Sequence, residues 1–138
     1  MMITIPIQSA CFTPTQQTTQ AAGYDLESGV TTDIPLGSTI AIPTGLQMEL
    51  PEGYFGKIES QSGMALAVMI TVGGVIDSDF RGEVKVLLHN NSGQAQRIKK
   101  GDRIAQLVLL PLLNAEMVPV DQLTATQRGT SGFGSTGQ

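Results

Sequence analysis

The stretch Leu46-Gln-Met-Glu-Leu50, followed by the turn Pro51-Glu-Gly53 and then Gly56-Lys-Ile-Glu-Ser60, decides the fold class. Apolar and polar residues alternate strictly from position 46 to 50, which is the period of a half-buried β-strand. Proline and glycine then supply the residues that a turn requires, and a second strand-like run follows. This segment therefore predicts two successive β-strands joined by a short connection.

The same pattern recurs along the rest of the chain. Short apolar or alternating runs end at Gly, Pro or Asn about every 8–12 residues, which is typical of a sandwich or barrel. The 16 Gly and 7 Pro residues also favour turns over long helices. The one helix candidate is a turn or two around Ser62–Ala67. The other predicted strands are Ile3–Ile7, Ser38–Ile42, Ala67–Val72, Glu83–Leu88, Ile104–Leu110 and Glu116–Val118.

Length and charge narrow the classes of function. The chain has 138 residues, which suits one domain, and a net charge of −4, which argues against nonspecific binding to nucleic acid. The single Cys11 excludes an intrachain disulfide, and no Cys/His cluster has the spacing of a zinc site. No apolar run approaches the ~18 residues of a membrane span. We expect an intracellular, cytoplasmic protein that binds neither nucleic acid nor membrane, with a nuclear or viral origin left open.

The C-terminal segment Arg128–Gln138 is rich in glycine and hydroxyl residues and lacks apolar periodicity. It matches a flexible linker in composition, but Arg128 offers a fork for phosphate and Phe133 a ring for a base. Gly132–Gly137 fits GxGxxG literally, yet a dinucleotide fold needs a strand before it and a helix after it, and a P-loop needs a lysine. We therefore expect a folded domain over 1–127 and a flexible lid over 128–138.

Four polar turns lie at the ends of predicted strands. Asp25 follows a glycine in Ala21–Leu26, and Ser62 lies in Ser60-Gln-Ser-Gly63. Asp77 follows two apolar residues in Gly73–Glu83, and Gln106 is a polar residue in an apolar strand after Lys99-Lys100. A carboxylate in such a turn can accept a proton from water, and amides before a short helix can bind an anion. The structural alternatives are an Asx turn, an N-cap, an Asp79–Arg81 ion pair and a buried amide with structural partners.

Taken in order, five segments resemble the five motifs of the trimeric dUTPase family. They are Ala22-Gly-Tyr-Asp-Leu26, Gln61-Ser-Gly-Met64, Gly74–Glu83, Gly101–Gln106 and Arg128–Gly137. The resemblance implies an all-β, jelly-roll-like β-barrel (β-clip) fold and a homotrimer with three shared active sites. It also implies Mg²⁺-dependent hydrolysis of dUTP to dUMP and pyrophosphate, which keeps uracil out of DNA and supplies dUMP for thymidylate synthesis.

The same resemblance implies roles for single residues. Asp77 matches the carboxylate that activates the water attacking the α-phosphorus, and Asp25 matches the acid that holds Mg²⁺ through water. Uracil is accepted by the Val75–Ile76 hairpin, Phe80 packs on the deoxyribose, and Phe133 covers the base. The implied substrate-binding residues are Gln61, Ser62, Gly63, Val75, Ile76, Phe80, Lys85, Gln106, Arg128, Phe133, Gly134 and Ser135.

Two positions depart from the family pattern. Gln61 stands where arginine is usual, and Phe80 stands where tyrosine is usual. The first change replaces a charged phosphate contact with a neutral one, and the second removes a phenol hydrogen bond. Two rival functions remain: a dCTP deaminase, which shares the fold but needs a different acid–base set, and a non-catalytic dUTPase-like protein that binds nucleotide or a protein partner.

Overall fold

The computed structural model describes residues 2–61, 69–71 and 73–134, and in this part of the chain all regular structure is β. Eleven strands are described: β1 (Ile7–Ser9), β2 (Gly23–Glu27), β3 (Thr32–Ile34), β4 (Thr39–Pro43), β5 (Leu46–Met48), β6 (Tyr54–Glu59), β7 (Met69–Thr71), β8 (Val75–Ile76), β9 (Lys85–Asn90), β10 (Gln96–Ile98) and β11 (Arg103–Pro111). The described part of the chain holds no helix long and apolar enough to cross a membrane.

Antiparallel pairing joins these strands into four sheets. The larger two have the strand orders β2-β11-β6-β8 and β4-β9-β7, and the smaller two pair β1 with β5 and β3 with β10. The expected all-β class is therefore confirmed. A closed barrel is not, because the hydrogen bonds between described strands leave four separate sheets with open edges.

One hydrophobic core holds the sheets together. Leu46 and Met48 point inward from β5 while Gln47 is exposed, as the alternation in the sequence predicts. Val86 and Leu88 do the same on β9. Buried side chains from ten of the eleven strands meet in a single cluster, and partly buried Ile5 and Phe12 pack against it. The core thus fixes which face of each strand is left for polar chemistry.

Buried polar side chains secure the connections between sheets. The Thr44 hydroxyl donates to Val84 O at 2.6 Å, and its oxygen accepts from Leu46 N at 3.2 Å. Asn90 is fully buried, and its amide nitrogen donates to Ile34 O at 2.8 Å and to Gln94 O at 2.7 Å. Because both of these side chains find partners, they brace the loops at little cost in buried polarity.

Two of the strands predicted from the sequence were wrong, and the one predicted helix was not tested. The first strand is Ile7–Ser9 rather than Ile3–Ile7, since only the later residues pair with β5. Glu116–Val118 forms no strand, because every residue from 111 to 131 is exposed and no neighbouring edge pairs with this segment. The helix expected around Ser62–Ala67 lies outside the described residues.

Candidate functional site

The polar face of the sheet β2-β11-β6 carries the first group of site residues. Asp25 of β2 lies opposite Gln106 of β11, and Gln106 lies opposite Glu59 of β6. Gln61 follows β6, and its amide nitrogen donates to Asp25 Oδ1 at 2.6 Å and to Ala105 O at 3.1 Å. Strand pairing thus brings Asp25 and Gln106 together, and the hydrogen bond from Gln61 adds a third residue that is distant in sequence.

Glycine at position 23 makes room for Gln106. A Cβ atom at Gly23 would overlap Gln106 Oε1, so any larger residue there would displace the carboxamide. The Gln106 amide nitrogen donates to Ser60 O at 3.3 Å, which fixes the side chain between the two neighbouring strands. Ser62 and Gly63, also expected in this group, lie outside the described residues.

The second group surrounds Asp77, which follows β8 and is exposed. Its hairpin depends on glycine: Gly73 and Gly74 have φ of 74° and 110°, a region that favours glycine. Gly74 O accepts a 2.8 Å hydrogen bond from Ile58 N, so the turn is anchored on β6. Asp77 therefore projects from a fixed turn at the edge of the sheet.

A cavity of about 750 Å³ adjoins Asp77. Val75 and Asp77 line it, whereas Ile76 is buried in the core. Tyr54, Phe55 and Leu112 also line the cavity, and sequence reasoning missed all three. The signal was available for the aromatic pair, because the chain has only 4 Phe and 2 Tyr and two of these six stand side by side after a turn.

Phe80 and Arg81 complete the hairpin. Phe80 N donates to Asp77 O at 3.1 Å, and a Cβ on Gly82 would lie 2.7 Å from Phe80 Cζ, so the ring rests over a glycine. Arg81 donates to Ser78 O at 2.7 Å and lies 4.0 Å from Glu49, instead of forming the Asp79 ion pair weighed from sequence. Lys85 begins β9 in the other large sheet and is not among the residues lining the cavity.

The two groups are far apart within one chain. The path from Asp25 to Asp77 leads from β2 across β11 and β6 to β8, which is three strand spacings. It also runs about four residues along the strand direction. With the usual strand spacing and rise, the separation is about 20 Å. A single nucleotide cannot bridge the two groups through short contacts with both carboxylates, so one chain does not assemble a complete site from them.

The third group belongs to the C-terminal segment and is exposed. Arg128 and Gly134 are exposed, and the Phe133 ring is fully exposed with φ of 52°. Ser131 N donates to Arg128 O at 3.3 Å, which is a local turn only. Ser135 lies outside the described residues.

The donor set suits a metal ion that arrives with a phosphate chain. Among the described residues, no cluster of three or more His, Cys, Asp or Glu side chains could hold an ion by itself. Asp25 offers one carboxylate, 13% exposed, beside two carboxamide side chains. Mg²⁺ commonly keeps several waters and is bound through one or two carboxylates plus substrate phosphates, so Asp25 fits this mode.

Comparisons with known proteins point to one protein family. The dUTPase family model matches residues 10–137. The chain is 48% identical to the deoxyuridine 5'-triphosphate nucleotidohydrolase of Nautilia profundicola over 91% of this chain and 90% of that protein. It is 42% identical to the same enzyme of Saccharomyces cerevisiae over 99% and 95%. A Staphylococcus bacteriophage 80alpha dUTPase G164S mutant with dUpNHpp has a TM-score of 0.90 at 25% identity, covering 98% and 99%. The chain therefore belongs to the dUTPase family.

Proposed function

We propose that this protein hydrolyses dUTP to dUMP and pyrophosphate. The observation that carries the proposal is the exposed carboxylate of Asp77, held on a glycine-anchored turn beside a cavity of about 750 Å³. Membership of the dUTPase family supports the substrate. Of the two rivals, the deaminase has no support from the relatives, whose names state dUTP hydrolysis.

In the proposed reaction Asp77 accepts a proton from a water molecule. The water oxygen attacks the α-phosphorus, the bond from that phosphorus to the α,β-bridging oxygen breaks, and pyrophosphate leaves with the bridging oxygen. A carboxylate in hydrogen-bonding reach of the water serves as general base. The hydrogen bond from Ile58 N to Gly74 O anchors the turn before β8, which would keep Asp77 in a constant position.

The phosphate chain is proposed to bind at the group of Asp25, Gln61 and Gln106, with Ser62 and Gly63 beside them. The Gln106 amide nitrogen donates one hydrogen bond to Ser60 O and would donate its other hydrogen to a phosphate oxygen, while Gln61 orients the Asp25 carboxylate that would hold the hydrated Mg²⁺. The bound ion would neutralise charge on the phosphates, which is needed because the chain carries a net charge of −4.

Selection of the nucleoside is proposed for the Asp77 hairpin. Backbone groups near Val75 and Ile76 would accept uracil, Lys85 would lie near the nucleoside, and the Phe80 ring would leave no room for a 2′-hydroxyl. The loss of a phenol at position 80 keeps the ring surface, so discrimination by shape is retained.

A complete site is proposed to need three copies of the chain. The Asp25 group and the Asp77 group lie about 20 Å apart in one copy, which calls for different subunits at each site. Residues 128–138, with Arg128, Phe133, Gly134 and Ser135, would close over the nucleotide, while 1–127 form the jelly-roll-like domain. We place the trimer inside the cell.

Turnover of a panel of nucleotides tests the function. We expect pyrophosphate release from dUTP well above that from dCTP, dTTP or UTP, with Mg²⁺ required and chelator inhibiting. Release of ammonia from dCTP would identify the deaminase instead. Tight binding of dUTP without any product would identify a non-catalytic relative.

A further inference from the structure

A bulge in strand β11 places an arginine on the polar face of the sheet. Arg103 pairs with Glu27 of β2, yet Ala105 pairs with Leu26, so two steps on β11 match one step on β2. The extra residue is Ile104, and both Ile104 and Ala105 are fully buried. Without the bulge, regular alternation would turn Arg103 toward the core. Bulges of this kind redirect side chains, often next to active sites.

The redirected arginine lies beside Asp25. Arg103 Nε is 3.7 Å from Asp25 Oδ2, while the other carboxylate oxygen accepts the 2.6 Å hydrogen bond from Gln61. The Arg103 side chain is 58% exposed and that of Asp25 13%. Within the described part of the chain, the terminal nitrogens of Arg103 have no hydrogen-bond partner. The guanidinium therefore has donors left for a ligand that approaches Asp25.

Charge balance explains why a cation is needed here. Phosphate oxygens that approach Gln61 and Gln106 also approach the carboxylate of Asp25, and like charges repel. Lys57 on the same sheet is paired with Glu59 at 2.9 Å, and Arg97 is paired with Asp33 at 3.1 Å in another sheet. Arg103 lies on the face that carries Asp25 and Gln106 and has open donors.

We propose that Arg103 is a phosphate-binding residue, supplying the positive charge of the Asp25 group to the phosphate chain of the substrate. This inference rests on the proposed function for the identity of the nucleotide, but the ligand chemistry it needs is a polyphosphate with Mg²⁺. Gln61 contributes one neutral donor to the same carboxylate. The positive charge therefore comes from Arg103 on β11 and not from position 61. The guanidinium fork suits bidentate contact with phosphate oxygens.

The test measures binding of inorganic tripolyphosphate with Mg²⁺ by calorimetry, at several salt concentrations. Arg103→Gln should weaken the affinity about tenfold or more and reduce the dependence on salt, because a charge-assisted contact is lost. Arg103→Lys should retain most of the affinity. Arg97→Gln is the matched control, since it removes the same charge from a similarly exposed arginine, and it should change the affinity less than about twofold.

A compensating variant separates binding from a structural role. An arginine at position 61 would lie at the same carboxylate as Arg103, so Gln61→Arg combined with Arg103→Gln should regain the affinity lost in the single variant. Should Arg103→Gln fail to fold, the double variant is compared with Gln61→Arg alone: affinity about tenfold weaker in the double variant supports the inference, and equal affinity of the two overturns it.

The remaining outcomes are also decisive. Unchanged tripolyphosphate binding in folded Arg103→Gln, or an equal loss in Arg97→Gln, would remove Arg103 from the phosphate site. If the unaltered protein does not turn over dUTP but Arg103→Gln alone weakens tripolyphosphate binding, the proposed function fails and the phosphate site stands. If Arg103→Gln hydrolyses dUTP with an unaltered KM, the function stands and the inference fails.

Discussion

Asp77 and Asp79 lie on the same turn, and both line the same cavity. The proposed reaction needs one proton acceptor there, so Asp77→Asn should lower kcat by about three orders of magnitude or more. Binding of dUpNHpp should change little, because the amide has almost the shape of the carboxylate. Asp79→Asn is the comparison and should lose less than about tenfold. Calorimetry and pyrophosphate release measure the two quantities, and near-normal turnover of Asp77→Asn would exclude it as the base.

Gly82 controls the position of a ring rather than the backbone. A methyl group there would lie 2.7 Å from Phe80 Cζ, and since the ring is 44% exposed it can move away at small cost in stability. Gly82→Ala should therefore keep the melting temperature while reducing the preference for dUTP over UTP by about tenfold. The ratio of kcat/KM for the two nucleotides measures this. An unchanged ratio would mean that Phe80 does not exclude the 2′-hydroxyl.

At the scale of elements, Asn90 joins the end of β9 to β3 and to the loop before β10. Asn90→Ala removes two donated hydrogen bonds, and its Oδ1 also accepts from Ser92 N at 2.9 Å. We expect a loss of about 2–3 kcal/mol in the free energy of unfolding. Denaturant unfolding measures it, with the exposed Asn91→Ala expected within about 0.5 kcal/mol of the unaltered protein. If Asn90→Ala lowers the free energy of unfolding by less than about 0.5 kcal/mol, the loop relaxes around the missing amide.

The strands that sequence analysis found and missed differ in how many buried residues they contain. Alternation over 46–50 and 83–88 gives several inward positions each, so periodicity detects β5 and β9. Thr32–Ile34 and Gln96–Ile98 have one buried apolar residue each, which sets no period, and both strands went unpredicted. Gly23–Glu27 has the composition of a turn, with glycine near a carboxylate, yet it forms β2 because it pairs with β11. The bulge at Ile104 depends on the partner strand, and a single-sequence pattern carries no signal for it.

The motifs predicted which residues belong to the site but not how one chain arranges them. Pairing of three strands brings together Asp25, Gln61 and Gln106. The sequence motifs identified these residues as family positions but did not predict their contacts. Arg103 stands inside a recognised motif, yet its place beside Asp25 follows from the bulge and had no sequence signal. Tyr54 and Phe55 were overlooked because they follow a turn that was interpreted only as a connection.

For the whole molecule, the segment after β11 shows more apolar surface than a lone chain would be expected to leave in water. At its start, Leu112 N donates a backbone hydrogen bond to Gly53 O at 2.8 Å. Beyond it, Leu113, Met117 and Leu123 are 88%, 87% and 83% exposed. Apolar side chains in this state favour contact with another copy, which would carry the C-terminal residues toward a neighbouring site.

Complementation between two inactive chains tests this assembly. One chain carries Asp77→Asn with an intact C-terminal segment, and the other keeps Asp77 but ends after Thr126. Each alone should be nearly inactive. In a mixed trimer whose sites take Asp77 and the C-terminal segment from different subunits, one site in three is complete, so random refolding should restore about a quarter of full activity. Mass spectrometry confirms that mixed trimers form. If they form and stay inactive, Asp77 and the C-terminal segment act within one subunit, and the separation of the three residue groups must be closed by a movement inside the chain.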